Sequence, residues 1–179
     1  MSRVHIRQLR THETDTVETV FAGLSPTSRL RRFHAPVRRL SPRLLAALAD
    51  VDGQRHVALV AEVRRGRRRV PIGIARYVRE SDGTAELAVA VVDRAQGRGV
   101  GATLLDHLVD HARRAGVREL HGDLLADNDA VRRLLARALP APRFTPDGAT
   151  VHVSSQLEPG LLTLEDLLAD LEPRLMATR

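Results

Sequence analysis

The sequence predicts an α+β domain, a mixed and mostly antiparallel sheet with helices packed against it. Three β-rich runs, Val57 to Val63, Pro71 to Val78 and Ala85 to Val92, succeed one another across the short polar turns Arg65-Gly66-Arg67 and Ser81-Asp82-Gly83. Turns that short join antiparallel neighbours. A glycine-rich turn then leads from the third run into an amphipathic helix, after which strand and helix alternate. With 179 residues, 43% of them hydrophobic, the chain is long enough for one domain with a real core and too short for two comfortable ones.

Taken in order, Val4, Ile6 and the stretch to Leu9 read as a short first strand. Thr11 is placed to cap a helix through Val17, Val20 and Phe21, which Gly23 and Pro26 end. An Arg-rich helix from Ser28 to His34 precedes Pro36, and Ser41-Pro42 opens a third helix carrying Leu44, Leu45 and Leu48. Beyond the β runs, Val100, Leu104, Leu105, Leu108 and Ala112 fall on one helical stripe, capped by Gly116. Val117 to Leu125 is the next strand, Asn128 to Leu139 a helix stopped by Pro140 and Pro142, and Ala149 to Gln156 a last strand. Leu164, Leu167, Leu168 and Leu171 recur at helical spacing, so the chain divides into a domain at 1–157 and a C-terminal helix at 158–179 that packs on the domain or on a homodimer partner.

All 28 basic residues are Arg, none is Lys, and the formal net charge is +6. Single-strand binders interleave such charge with stacking aromatics. With only 2% aromatic residues that interleaving is missing, and no specific nucleic-acid partner is expected. The absence of Cys excludes disulfides, thiolate metal sites and a Cys nucleophile. His107 and His111 stand i, i+4 on one helix without the Glu of a zinc-protease motif, so no metal is expected. Arg3, Arg7 and Arg10 interrupt any signal-like run, and no segment approaches the roughly 20 apolar residues of a spanning helix. A cytoplasmic protein without membrane attachment is the default.

The strongest local signal is Asp93-Arg-Ala-Gln96-Gly97-Arg98-Gly99-Val100-Gly101-Ala102, between an apolar strand and an amphipathic helix. Glycines let the backbone approach a ligand and turn sharply, so that successive N–H groups converge on phosphate oxygens at the positive end of a helix. Arg98 adds a charge-assisted contact. A P-loop is excluded because it needs a Lys. Gly97-x-Gly99-x-x-Ala102 also satisfies the dinucleotide fingerprint, with Glu119 or Asp123 about 20 residues on. Context separates the two readings: a dinucleotide domain repeats parallel βαβ units, whereas hairpins precede this turn.

Gln96-x-x-Gly99-x-Gly101, in place after the fourth strand, resembles the (Gln/Arg)-x-x-Gly-x-(Gly/Ala) acyl-CoA motif of the GNAT superfamily of N-acetyltransferases. Ser25-Pro26-x-Ser28-Arg29-x-x-Arg32-Phe33, Pro71-Ile-Gly-Ile-Ala-Arg-Tyr77 and Ala85-Glu86-x-Ala88-x-x-Val91 are similar to the catalytic domain of bacterial protein lysine acetyltransferases. The resemblance implies a GNAT fold with a twisted sheet of six or seven strands, and acetyl-CoA as co-substrate. It implies that backbone groups of Ala90, Val91 and Val92 bind the pantetheine arm, that Gln96 to Ala102 bind the pyrophosphate, and that Asn128 hydrogen-bonds the arm. An Asn there also suits a helix N-cap.

Direct transfer needs a neutral amine, and a free Lys has a pKa of about 10.4, so a base must take a proton. Glu86 is the candidate: it is the carboxylate inside an otherwise apolar strand, where burial would raise its pKa, and the resemblance puts the subfamily's base at the same position. Its alternation with Leu87 and Val89 also allows a solvent-facing position. His121 with Asp123 is the second choice. The Tyr that protonates the leaving thiolate in many GNAT enzymes is replaced near Leu134 and Leu135, which leaves solvent or the ammonium product as acid. The acceptor is an amine, on a small molecule or a protein lysine. A non-catalytic acyl-CoA-binding regulatory module and a nicotinamide-dinucleotide protein are the competing readings.

Overall fold

The computed structural model describes residues 4–80 and 83–158, so the helix expected around Leu164 to Leu171 lies outside the described residues. Strands β1 (His5–Gln8), β2 (His56–Arg65), β3 (Arg68–Arg79), β4 (Thr84–Val91), β5 (Glu119–Leu125), β6 (Arg143–Asp147) and β7 (Thr150–Gln156) form one sheet in the order β1-β2-β3-β4-β5-β7-β6. Neighbours are antiparallel except β4 and β5, which are parallel. The parallel pair is joined through α4 (Val100–Arg114); the other helices are α1 (Thr14–Ala22), α2 (Pro26–Phe33), α3 (Pro42–Ala49) and α5 (Asp129–Ala138).

Local chemistry accounts for most helix boundaries. Ser25 Oγ accepts the Ser28 N–H and Ser41 Oγ the Leu44 N–H, each with Pro in the first turn. Helix α1 departs from expectation, because it starts at Thr14 with Glu13 as a cap whose side chain makes no capping bond. Thr11 instead donates its hydroxyl to Val51 O, a tertiary contact that local sequence cannot announce. Strand β6 was not expected, since Pro142 and Pro146 break the β pattern; it survives as the sheet's outer strand, where a missing N–H is tolerated.

The sheet buries both faces over its middle. Leu104, Leu105, Leu108 and Ala112 of α4 are fully buried on one side, where a Cβ added at Gly73 would meet Leu104 Cδ1 at 3.0 Å. Tyr77 is buried on the same side and its hydroxyl lies 2.9 Å from His111 Nδ1. On the other side the cross-strand pairs Ile74–Ala90 and Arg76–Ala88 lie under α1, α2 and α3. Leu104→Ala is expected to cost about 2–5 kcal/mol of unfolding free energy in a denaturant titration, because a side chain this enclosed leaves a cavity that cannot collapse.

At the β1 edge, Arg7 donates to Glu62 and to both oxygens of Glu13. Its guanidinium holds the Glu13 pKa down to about 2, against the effect of burial and with help from the Thr16 hydroxyl and the Arg10 N–H. A carboxylate with a lowered folded-state pKa stabilises the fold above its unfolded value, and this contribution disappears as pH falls through the folded one. Stability is therefore expected to decline between pH 4.5 and about 2, and Glu13→Gln should remove that part of the decline in thermal melts taken across the range.

Candidate active site

Strands β4 and β5 pair at Thr84–Glu119, Ala85–Leu120 and Glu86–His121, and among the described residues not beyond. Just past the last pair the strands still crowd: a Cβ added at Gly122 would meet Leu87 O at 3.0 Å. Further on, a cavity of about 470 Å³ opens between Val89–Val91 of β4 and the Asn128–Leu134 side of α5. The glycine turn closes its far end.

That turn is braced from behind. Gln96 Nε2 donates to Val91 O at 2.9 Å and approaches Asp93 Oδ1 and Ser28 Oγ, each at 3.3 Å. Asp93 Oδ1 also accepts the Ser25 N–H at 3.2 Å. Burial opposes the Asp93 charge, but hydrogen bonds from Ser25 and Ser28, with Arg29 nearby, hold its pKa below the usual carboxylate value. Gly97 and Gly99 take positive φ, 69° and 81°, and a Cβ added at either would meet nothing within 4 Å. Both border the cavity at the start of α4, where first-turn N–H groups have no intrahelical acceptor.

Among the residues singled out from the sequence, Ala90, Val91, Gln96, Gly97, Gly99, Val100, Gly101, Ala102 and Asn128 line this cavity. Val92 does not; it is buried and donates its N–H to Ile72 O. Arg98 is exposed and is not in the lining either. Asn128 is buried and caps α5 by accepting the Val131 N–H at 3.4 Å, while bordering the cavity. Sequence reasoning missed Arg31, Arg32, Arg133 and Arg137 in the lining. The i, i+4 spacing of Arg133 and Arg137 was the available signal, since it puts both on one side of α5.

A second cavity, about 260 Å³, shares Arg31, Arg32, Val89, Asn128 and Val131 with the first, and contains Glu86. Glu86 is exposed, not buried as its apolar strand suggested. Its cross-strand partner on β3, Val78, is exposed too, so at this pair that face of the sheet has run out of helix cover. The expected His121–Asp123 pair does not form. His121 Nε2 lies 3.5 Å from Glu80, and Asp123 Oδ1 is 2.8 Å from His152 Nδ1, its cross-strand neighbour on β7. Leu134 borders the first cavity and Leu135 the second, while the Tyr77 hydroxyl is engaged with His111.

Among the described residues no three His, Asp or Glu side chains converge as a metal site, and no helix is long and apolar enough to cross a membrane. The antiparallel sheet also corrects the dinucleotide reading, since β4-α4-β5 is its only parallel unit among the described residues.

Known proteins agree with this geometry. The family model for the acetyltransferase (GNAT) family matches residues 23–139. The acetyltransferase PA5475 of Pseudomonas aeruginosa is 36% identical over 148 residues, which is 82% of this chain and 80% of that protein. The acetyltransferase Pat of Mycolicibacterium smegmatis is 37% identical over 109 residues, 60% of this chain but 32% of that longer protein. Among solved structures, the GNAT domain of S. lividans PAT superposes with a TM-score of 0.77 at 25% identity, over 86% of this chain and 90% of that one. A glycine turn between β4 and α4, strands that part beside it, and a match over most of the folded chain lead to one assignment: the chain belongs to the acetyltransferase (GNAT) family, whose members move an acetyl group from acetyl-CoA to an amine.

Proposed function

We propose that this chain acetylates a protein lysine by direct attack within a ternary complex, with Glu86 as the base. The observation that carries the reading is the continuity of the two cavities, with a phosphate-suited turn at one end and a carboxylate at the other. In this reading the pyrophosphate of acetyl-CoA lies on the N–H groups of Gly97 to Ala102, with Arg98 nearby. The pantetheine arm runs between Ala90–Val91 and Asn128, where β4 keeps β3 on one side and has no partner on the β5 side. The donor has room, because neither glycine of positive φ has an atom facing its missing Cβ.

The amine nitrogen attacks the thioester carbonyl, the new C–N bond forms, and the C–S bond breaks as the tetrahedral intermediate collapses. The proton released by nitrogen passes to the Glu86 carboxylate, directly or through one water. The attacking nitrogen is left cationic in the tetrahedral intermediate, and its extra proton passes to the departing thiolate, directly or through solvent, to leave a neutral amide and a thiol, whose pKa of about 8.5 tolerates this. Lysine as acceptor rests on the resemblance of the Ser25–Phe33, Pro71–Tyr77 and Ala85–Val91 segments to bacterial protein lysine acetyltransferases, and a panel of lysine peptides against small amines tests it.

A calorimetric titration with acetyl-CoA, and NADH as the control ligand, tests the donor site. Acetyl-CoA is expected to bind and NADH to show no heat; failure of acetyl-CoA to bind would overturn the reading. The basic residues on α5 add a second expectation. Arg133→Glu with Arg137→Glu should weaken acetyl-CoA by about tenfold or more at low salt and flatten the salt dependence of its Kd, because screened surface charges act mainly there.

A further inference from the structure

Beneath the part of β4 that faces the donor lie two guanidinium groups that form no ion pair among the described residues. Arg76 is 7% exposed; its Nη1 donates to Leu48 O at 2.9 Å and lies 3.2 Å from His56 Nε2. Arg32, on α2, lies over the ring of its neighbour Phe33, 5.0 Å from the centroid. Both border one small cavity of about 30 Å³, together with Phe21, Ile74, Ala88 and Ala90. Arg32 also borders the two larger cavities, so it stands where all three meet.

Two like charges in so enclosed a place are costly unless an anion joins them. Burial lowers the Arg76 pKa to about 9 and the Arg32 charge pushes the same way, which still leaves Arg76 protonated at neutral pH. Burial also lowers the Arg32 pKa, and Glu86 opposes that shift without closing to an ion pair. The cavity has room for about two water-sized atoms, the bulk of one carboxylate's oxygens. An acetyl methyl would leave both guanidinium groups without an anion, whereas the planar guanidinium fork matches a carboxylate in shape and charge.

We propose that this cavity receives a carboxylate carried by one of the two reactants, either the free carboxylate of a dicarboxylic acyl group on CoA or that of an amino-acid acceptor. The inference rests only on the acyl-CoA site of the reading above, and one arm of its test would replace the acetyl donor and the other the lysine acceptor. Ala88 and Ala90 bring the cavity to the part of β4 between the pantetheine arm and Glu86 in that reading, where the thioester must meet the amine, and Arg32 brings it to the cavity that holds Glu86. Either reactant can therefore reach it.

The test has two arms on the full chain. In the first, acetyl-CoA, butyryl-CoA and succinyl-CoA are titrated calorimetrically; the last two share a four-carbon chain and differ in the carboxylate. Succinyl-CoA is expected to bind about ten- to a hundredfold tighter than butyryl-CoA, the range of a hydrogen bond to a charged group. Arg32→Gln should erase that ratio. In the second arm, with acetyl-CoA as donor, kcat/KM is compared for 4-aminobutyrate and its amide. A preference for the acid here, with none in the first arm, assigns the carboxylate to the acceptor. Acetyl-CoA binding with no preference in either arm overturns the inference alone, and loss of binding to every CoA ester overturns it together with the functional reading.

Discussion

Replacement of Glu86 by Gln is expected to lower kcat by about a hundredfold to ten-thousandfold, the usual contribution of a positioned general base, while the affinity for acetyl-CoA is unchanged. Gln keeps the size and most hydrogen bonds of Glu but cannot take the amine's proton. The separation of the two effects follows from the layout: Glu86 borders the second cavity and is absent from the lining of the first. A variant that keeps its rate would remove Glu86 from the mechanism.

Gly99→Val is expected to abolish donor binding with a smaller loss of stability. Gly99 has φ +81° and caps α4, a conformation that costs a β-branched residue about 1–2 kcal/mol. That part should appear as a modest fall in melting temperature. The larger effect expected is on affinity, because Gly99 borders the cavity in which the proposed reading places the donor's pyrophosphate. A loss of about a hundredfold or more in acetyl-CoA affinity is expected, since phosphate contacts are charge-assisted and several are lost together. Gly116→Val is the control: it also has positive φ with nothing near its missing Cβ, but stands at the opposite end of α4. It should lower stability and leave binding intact.

How far the sequence could be read depended on whether the signal was local. The helices at Ser25-Pro26 and Ser41-Pro42 were legible because cap and first turn sit within four residues. The three central strands were legible because their turns are short, and the register that followed is continuous apart from a shift at Ala61/Glu62. Thr11 was misread because its hydroxyl partner, Val51, is forty residues away. β6 was hidden by prolines that only an outer strand accepts. The glycine turn ahead of α4 was legible from its spacing, whereas Glu86's exposure depends on where helix cover of its face ends, a tertiary property that the strand does not encode. Arg32 and Arg76 stand in two segments quoted for the family resemblance, but nothing in the sequence joins them; what does is the cavity they share.

The early end of the β4–β5 pairing bears on more than access. Leu87 to Val91 keep β3 as a neighbour on one side, but on the other the sheet has an unzipped seam in its interior. Such a seam is an incomplete fold as much as a groove, and a ligand that lies along it takes the place of missing chain. Donor binding and the last increment of folding then draw on the same contacts. Saturating acetyl-CoA, at a hundred times its Kd, adds about 2.7 kcal/mol to stability by mass action. Slowed amide exchange should concentrate on β4 and the start of α4, while β1 and β6 at the two edges of the sheet exchange as before. Abundance of such a protein in a cell would then follow the supply of its own thioester substrate, through the fraction of molecules that are closed at the seam and resistant to proteolysis.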